Sequence, residues 1–406
     1  MTLTASDSTR TVSLGSHKLA QAQSLLRVHD LDAWLTVVRE SAERPDPNLR
    51  FFTDLDFTWS TFFLVTPSRS AALVATFDAP DLVALGLFDE VATYKEGPRA
   101  ALVQLLDHTR PMRIGINVSE DDALADGITA GLRAQLEGML AETAYAGRLT
   151  SAAPFLSELR SVKLPEERAR IQAAVDETEA MFDRVRSRIR LGMTAREVGA
   201  LFHAEADGAR VPTAWPRHHC PTVTVGARAP VGHVGPGDEP IVPGTVVHVD
   251  FGIVRDGYRS DLQRLWYVAS ADGGDVPEPV RRAHATIVEA IELAARELTP
   301  GTPGWEIDRD VRDLLVKRGF PEYAHALGHH LGRAVHDGGG VLGPRWERYG
   351  KEPYEPVRAG SVFTLEPSIY LPEHGMIALE EDVVVEEKGG VFLSRFPREI
   401  PILRLT

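Results

Sequence analysis

Residues 248–268 read HVDFGIVRDGYRSDLQRLWYV, two apolar runs rich in β-branched and aromatic residues on either side of Asp256-Gly257. Asp-Gly between such runs is a turn signal, so the chain is expected to fold back as a hairpin with Asp250 and Asp261 opposite or diagonal. Their Cβ atoms would stand about 4.5–8 Å apart. Carboxylates that close repel each other. The hairpin alone permits three readings: a shared proton, a bound cation, or two solvated turn carboxylates.

Working outward, residues 325–340 read HALGHHLGRAVHDGGG. The histidines at 325, 329, 330 and 336 cannot all face one side of a helix, and the glycines among them imply a chain running close to something. A lone buried histidine is commonly a satisfied core residue, whereas four so close together point to a site, and imidazole suits Zn, Mn, Fe or Co. Further on come SVFTLEPSIYL from 361 and GMIALEEDVVVEE from 375. Glu366 interrupts an apolar strand just before Pro367, and Glu380 or Glu381 follows Ile377-Ala378-Leu379. A glutamate in such a segment either lies on the wet face of an edge strand or needs a cationic partner or a shifted pKa. Together the three stretches supply four carboxylates and an imidazole, an oxygen-rich set suited to two adjacent divalent ions. Such a site activates water and polarises a carbonyl, which is amide or ester hydrolysis without a protein nucleophile.

The 406-residue length predicts two domains. Residues 1–155 alternate helix and strand, with apolar runs at 33–38, 61–65, 71–75 and 113–118, as in a small α/β domain. From 156 onward, with a long helix opening at Pro165, paired helices interspersed with strands (222–225, 246–254, 260–268, 362–370 and 376–386) predict an α+β domain with an antiparallel sheet. A net charge of -14 and a pI near 5.5 argue against nucleic acid or anionic lipid as partner. The single cysteine, Cys220, reads as a core thiol rather than a nucleophile. With neither a secretory pattern at the start nor a run of about 20 apolar residues, the expected location is the cytoplasm, away from membranes.

In its catalytic half the sequence resembles the pita-bread metallopeptidases, and within them the branch of Xaa-Pro dipeptidase (prolidase) and aminopeptidase P. The resemblance rests on Asp250 and Asp261 eleven apart, the HxLGHxLGxxVHD pattern, TLEP at 364–367, and Glu380 before Asp382-Val383. Residues 1–155 are similar to the creatinase-type domain of the same branch, with Asn48 to Thr53 like its NxRYLTG segment. The resemblance implies a curved antiparallel sheet and two divalent ions, Mn, Co or Zn. Asp250 would hold one ion, His329 and Glu366 the other, with Asp261 and Glu380 bridging; Glu366 would also take the proton of the bridging water. His233 and His336 would contact substrate and its scissile carbonyl, and His325 would be a further active-site histidine. Tyr370 would help wall a proline pocket. Arg345, with Arg348 and Arg50 as lesser candidates, would meet the carboxylate of a dipeptide. A homodimer acting on small peptides is the expectation.

The chain departs from the branch pattern in places. Ala378-Leu379-Glu380-Glu381 stands where Arg-Ile-Glu-Asp is usual, so an arginine beside the bridging glutamate is absent. Gly232 precedes His233 in place of proline, Arg333-Ala334 replaces an apolar-acidic pair, and Ser368 replaces a glycine. The activity expected is hydrolysis of Xaa-Pro dipeptides. The alternatives are an aminopeptidase P acting on longer peptides, a metal-free creatinase-like enzyme, and a non-catalytic binding protein.

Overall fold

The computed structural model describes residues 5–228, 235–269 and 275–405, with side chains from Leu14 onward. The chain divides into two compact units, Met1–Arg160 and Ser161–Thr406. The sequence placed this boundary at 155/156; Phe155, Leu156 and Leu159 are buried in the first unit's core and carry that unit five residues further.

In the first unit the elements are α1 (Ala5–Val28), β1 (Ala33–Val38), β2 (Thr61–Val65), β3 (Ser70–Ala75), α2 (Ala79–Leu85), β4 (Glu90–Tyr94), α3 (Arg99–Thr109), β5 (Ile114–Ile116), α4 (Ala130–Leu140), β6 (Leu149–Ser151) and α5 (Ala153–Ser161). The strands form one mixed sheet in the order β4-β3-β2-β1-β5-β6. Every residue of the central strand β1, AWLTVV, is buried. Trp34 and Val38 enter the core on one face, and Ala33, Leu35 and Val37 enter the core on the other. A strand covered on both faces has to read as a continuous apolar run.

The second unit opens with α6 (Pro165–Arg186) and α7 (Ala195–Ala209), followed by β7 (Thr222–Val225), β8 (Val246–Phe251), β9 (Val254–Arg255), β10 (Tyr258–Arg259) and β11 (Leu262–Val268). Next are α8 (Glu278–Glu297), α9 (Gly304–Lys317), β12 (Gly328–His329), β13 (Val341–Leu342), β14 (Val362–Leu365), β15 (Ser368–Leu371), β16 (Gly375–Ala378), β17 (Glu381–Glu386), β18 (Gly389–Phe392) and β19 (Ile402–Leu403). Pro165 starts α6, and Glu167 reaches back 2.8 Å to accept from the Leu164 amide. Thr194 and Glu197 form a reciprocal capping box on α7.

Two larger ladders, β19-β11-β8-β7 and β14-β17-β18, are joined by an isolated bridge between Gln263 and Glu380. Behind them, the apolar stripes of α8 and α9 (Ile287, Ile291, Ile307, Val311) share a core with Leu265, Phe363, Leu365, Ile377 and Leu379. Side chains alternate across a strand, so with Ile377 and Leu379 in the core, Ala378 and Glu380 take the other face.

Two expected strands are each broken in two. The run 362–370 splits at Glu366-Pro367, because proline lacks the ladder N–H and restricts the residue before it; β14 pairs with β17, and β15 with β16. The run 376–386 splits at Leu379-Glu380, where Glu380 turns to pair with Gln263. Both glutamates therefore stand where the chain changes partners. Among the described residues, no helix is long and apolar enough to cross a membrane.

Candidate metal centre

Register fixes the first two donors. Phe251 pairs with Leu262 and Asp250 with Gln263, which leaves Asp261 one step further toward the turn, diagonal to Asp250. Asp256 (φ 48°) and Gly257 (φ 79°) both adopt the left-handed region that a tight hairpin turn requires. Burial first, and then the charge of Asp250, pushes the Asp261 carboxyl up, the electrostatic signature of two acids held close together.

His329 comes from β12, held against β14. Its amide donates to Thr364 Oγ1 at 3.2 Å, the Glu366 amide donates to the Leu327 carbonyl at 2.8 Å, and Leu331 N donates to Val362 O at 3.0 Å. The approach of the two segments requires Gly328: a Cβ there would stand 1.9 Å from the Thr364 carbonyl oxygen. Gly328→Ala should therefore displace His329 and cost about 1–3 kcal/mol of stability, read as a lowered midpoint in urea together with weaker Mn binding. Unchanged values for both would show that the segments are not held this closely.

His329 Nδ1 lies 3.2 Å from the His330 carbonyl, which accepts its proton and leaves Nε2 as a lone-pair donor. Nε2 faces Glu366 Oε1 at 3.5 Å, Asp261 Oδ2 at 3.7 Å and Glu380 Oε1 at 4.0 Å. Ligand atoms of Asp261, His329 and Glu380 all lie within 4.8 Å of one another. The structure thus brings together Asp250, Asp261, His329, Glu366 and Glu380.

Burial pushes Asp250 up to about 7, and burial followed by mutual repulsion drives Asp261, Glu366 and Glu380 well above the carboxylate range. Burial, with His336 second, brings His329 down to about 3. Asp250 Oδ1 and Glu380 Oε1 are buried without a hydrogen-bond partner. Among the described residues no lysine or arginine pairs with any of the four carboxylates. Buried acids with orphaned oxygens around a neutral imidazole fit divalent cations, which supply the missing positive charge and suit this oxygen-rich donor set.

Of the other candidates, His336 adjoins the cluster and the remaining described ones make contacts elsewhere. His336 packs edge-on against His329, ring centroids 4.3 Å apart. His325 donates from Nδ1 to the Ala326 carbonyl at 2.8 Å, so its Nε2 accepts from the Ser368 hydroxyl, also 2.8 Å away. The Tyr370 hydroxyl donates to Ala227 O at 2.8 Å. Arg345 is exposed, with its guanidinium 4.3 Å from the Trp305 ring centroid; Arg348 donates to Ala324 O; Arg50 pairs with Asp56 at 2.6 Å. His233 lies outside the described residues. Cys220 is buried with its Sγ 3.6 Å from the Gly252 carbonyl, and burial raises its pKa far out of the reactive range.

Reading the motifs missed several polar side chains. Gln263 donates to Glu380 Oε2 at 2.9 Å and Glu366 Oε2 at 3.3 Å, and its Oε1 lies 2.9 Å from His248 Nε2. Asp382 accepts from the Asp261 amide at 3.1 Å. Arg264 binds the Glu380 carbonyl at 3.0 Å and the buried Glu381 carboxylate at 2.9 Å. A signal for three of them was present: His248, Gln263 and Asp382 each lie two residues from a carboxylate donor on an extended segment, and residues two apart share a face.

The fold is that of a pita-bread protein, with an N-terminal domain and a catalytic domain. The chain matches metallopeptidase family M24 over residues 169–387 and belongs to that family. An uncharacterized peptidase of Bacillus subtilis, YqhT, is 32% identical over 182 residues, 45% of this chain and 48% of that protein. The Xaa-Pro dipeptidase of Pyrococcus furiosus is 27% identical over 248 residues, 60% of this chain and 66% of that protein. The chain's matches thus span from about half to just under two thirds of these relatives' lengths. The crystal structure of an X-Pro aminopeptidase from Thermotoga maritima has the same fold, with a TM-score of 0.70 at 22% identity over 96% of this chain and 99% of that one.

Proposed function

We propose that the protein is a metal-dependent peptidase that hydrolyses the Xaa-Pro bond of dipeptides, with Asp250, Asp261, His329, Glu366 and Glu380 holding two divalent ions such as Mn, Co or Zn. The observation that carries this reading is the convergence of three carboxylates, Asp261, Glu366 and Glu380, on His329 Nε2, with Asp250 diagonal to Asp261 across the hairpin and, among the described residues, no lysine or arginine paired with any of the four. The Pyrococcus relative, named as an Xaa-Pro dipeptidase, supports the substrate class.

Divalent ions held by Asp250, Asp261, His329, Glu366 and Glu380 would supply Lewis acidity at this site, making water more acidic and polarising a carbonyl. Glu366 is the base. Its carboxylate takes a proton from the attacking water and delivers it to the proline nitrogen, which leaves as an amine once the C–N bond breaks. Gln263 holds Glu366 by Oε2 at 3.3 Å, leaving Oε1 turned toward His329. His336, against the His329 ring, donates to the substrate carbonyl, and the Ala326 carbonyl fixes the tautomer of His325, leaving its Nε2 to accept from the Ser368 hydroxyl.

Chelation should abolish Xaa-Pro cleavage, and Mn, Co or Zn should restore it. Full activity in chelator would eliminate the reading. The placement of Arg345 over Trp305 favours a second reading, an aminopeptidase accepting longer peptides, because that arginine is then not reserved for a dipeptide's carboxylate. Turnover of Xaa-Pro against Xaa-Pro-Yaa in the same assay decides between the two.

A further inference from the structure

Gln263 lies where the two larger ladders of the second unit meet. It pairs with Asp250 across β8 and β11, and its backbone exchanges hydrogen bonds with Glu380, N to O at 3.4 Å and O to N at 3.2 Å. The side chain is buried. Its amide faces two carboxylates on one side and an imidazole on the other, and only one orientation satisfies all three. With both glutamates ionised, as metal ligation requires, the NH2 group must point at Glu380 Oε2 (2.9 Å) and Glu366 Oε2 (3.3 Å), because carboxylates accept and do not donate. Oε1 then faces His248 Nε2 at 2.9 Å, so that nitrogen carries the proton. His248 Nδ1, left as acceptor, has the Thr224 hydroxyl 3.5 Å away.

The amide therefore grips the same oxygen of both glutamates and leaves the other oxygen of each in the shared space. Glu366 Oε1 and Glu380 Oε1 point toward His329 Nε2 at 3.5 and 4.0 Å, and Glu380 Oε1 has no hydrogen-bond partner. The residue two before Glu380, on its face of the strand, is Ala378, which has no polar group to offer. Arg264 reaches the Glu380 carbonyl rather than its carboxylate.

We propose that Gln263, oriented by His248, is a positioning residue that presents one oxygen each of Glu366 and Glu380 to the metal ions. This rests on the reading of the cluster as a metal centre. As an uncharged donor, Gln263 orders the glutamates without offsetting their negative charge, so the four carboxylates can balance two divalent cations in full.

The test is calorimetric titration of the metal-free chain with Mn. Gln263→Met, similar in volume but without donors, should weaken Mn binding about 10–100-fold. It should lower kcat at saturating Mn with KM little changed. His248→Phe, which keeps the amide but frees it to turn over, should weaken Mn binding in the same direction by less. A role in packing alone would lower the melting temperature of the metal-free protein and leave Mn affinity at the parent value, and that result would overturn the proposal. If Gln263→Met does not fold, His248→Phe decides, with parental Mn affinity overturning the proposal. Absence of Mn binding by the parent chain would instead remove the metal-centre reading, and the positioning role with it.

Discussion

Asp261→Ala is expected to strip the protein of Mn and to cut Xaa-Pro hydrolysis at least about a thousandfold, since metal ions contribute several kcal/mol of transition-state stabilisation. The same substitution should raise the melting temperature of the metal-free protein. Asp261 is buried, and Asp250, Asp382 and Glu366 all push its pKa up, so without cations it is a source of repulsion. The sign extends to pH. Asp250 has an ordinary value of 3.8 and rises to about 7 in the fold, so the unfolded chain gives up that proton first. Its contribution to stability is complete below pH 3.8 and is lost as pH rises through about 7. Metal should cancel this loss by favouring the ionised carboxylates. Metal content by mass spectrometry and melting curves with and without Mn check each part. Parental metal content in Asp261→Ala would refute the assignment.

Glu366→Gln separates proton transfer from metal retention. Glutamine keeps the shape and one oxygen near His329 Nε2, where Glu366 Oε1 lies at 3.5 Å, but it cannot take a proton from water. The expected result is a fall in kcat of about 10²–10⁴, with Mn still bound at reduced affinity and KM nearly unchanged. A variant that keeps its kcat would place the base elsewhere.

Much of this site is legible in the sequence because ligand chemistry stands out against an apolar background. A carboxylate inside VVHVDF or VFTLEP demands a reason, and the Asp256-Gly257 turn predicts a hairpin with Asp250 and Asp261 opposite or diagonal, of which the structure shows the diagonal arrangement. The breaks at Glu366-Pro367 and Leu379-Glu380 are harder to read. Hydrophobic pattern reports burial, and burial continues through both breaks while the pairing partner changes. Gln263 was hidden for a different reason: a glutamine on a strand carries no signal of its own, and its role depends on Glu380, more than a hundred positions away. Arg345 shows the converse. Position in a motif suggested a partner for substrate, whereas three-dimensional packing supplies the Trp305 ring.

The two partner switches also bear on how such a protein could diversify. The hairpin of β15 and β16, which carries Tyr370, is bracketed in the chain by Glu366 and Glu380, and each of those glutamates is moored to a different segment, at Leu327 and at Gln263. Residues added or removed at the tip, around Pro372 to His374, would reshape whatever that hairpin presents while both moorings stay in register. Selectivity could thus drift through changes in loop length, independently of the constellation that performs the reaction.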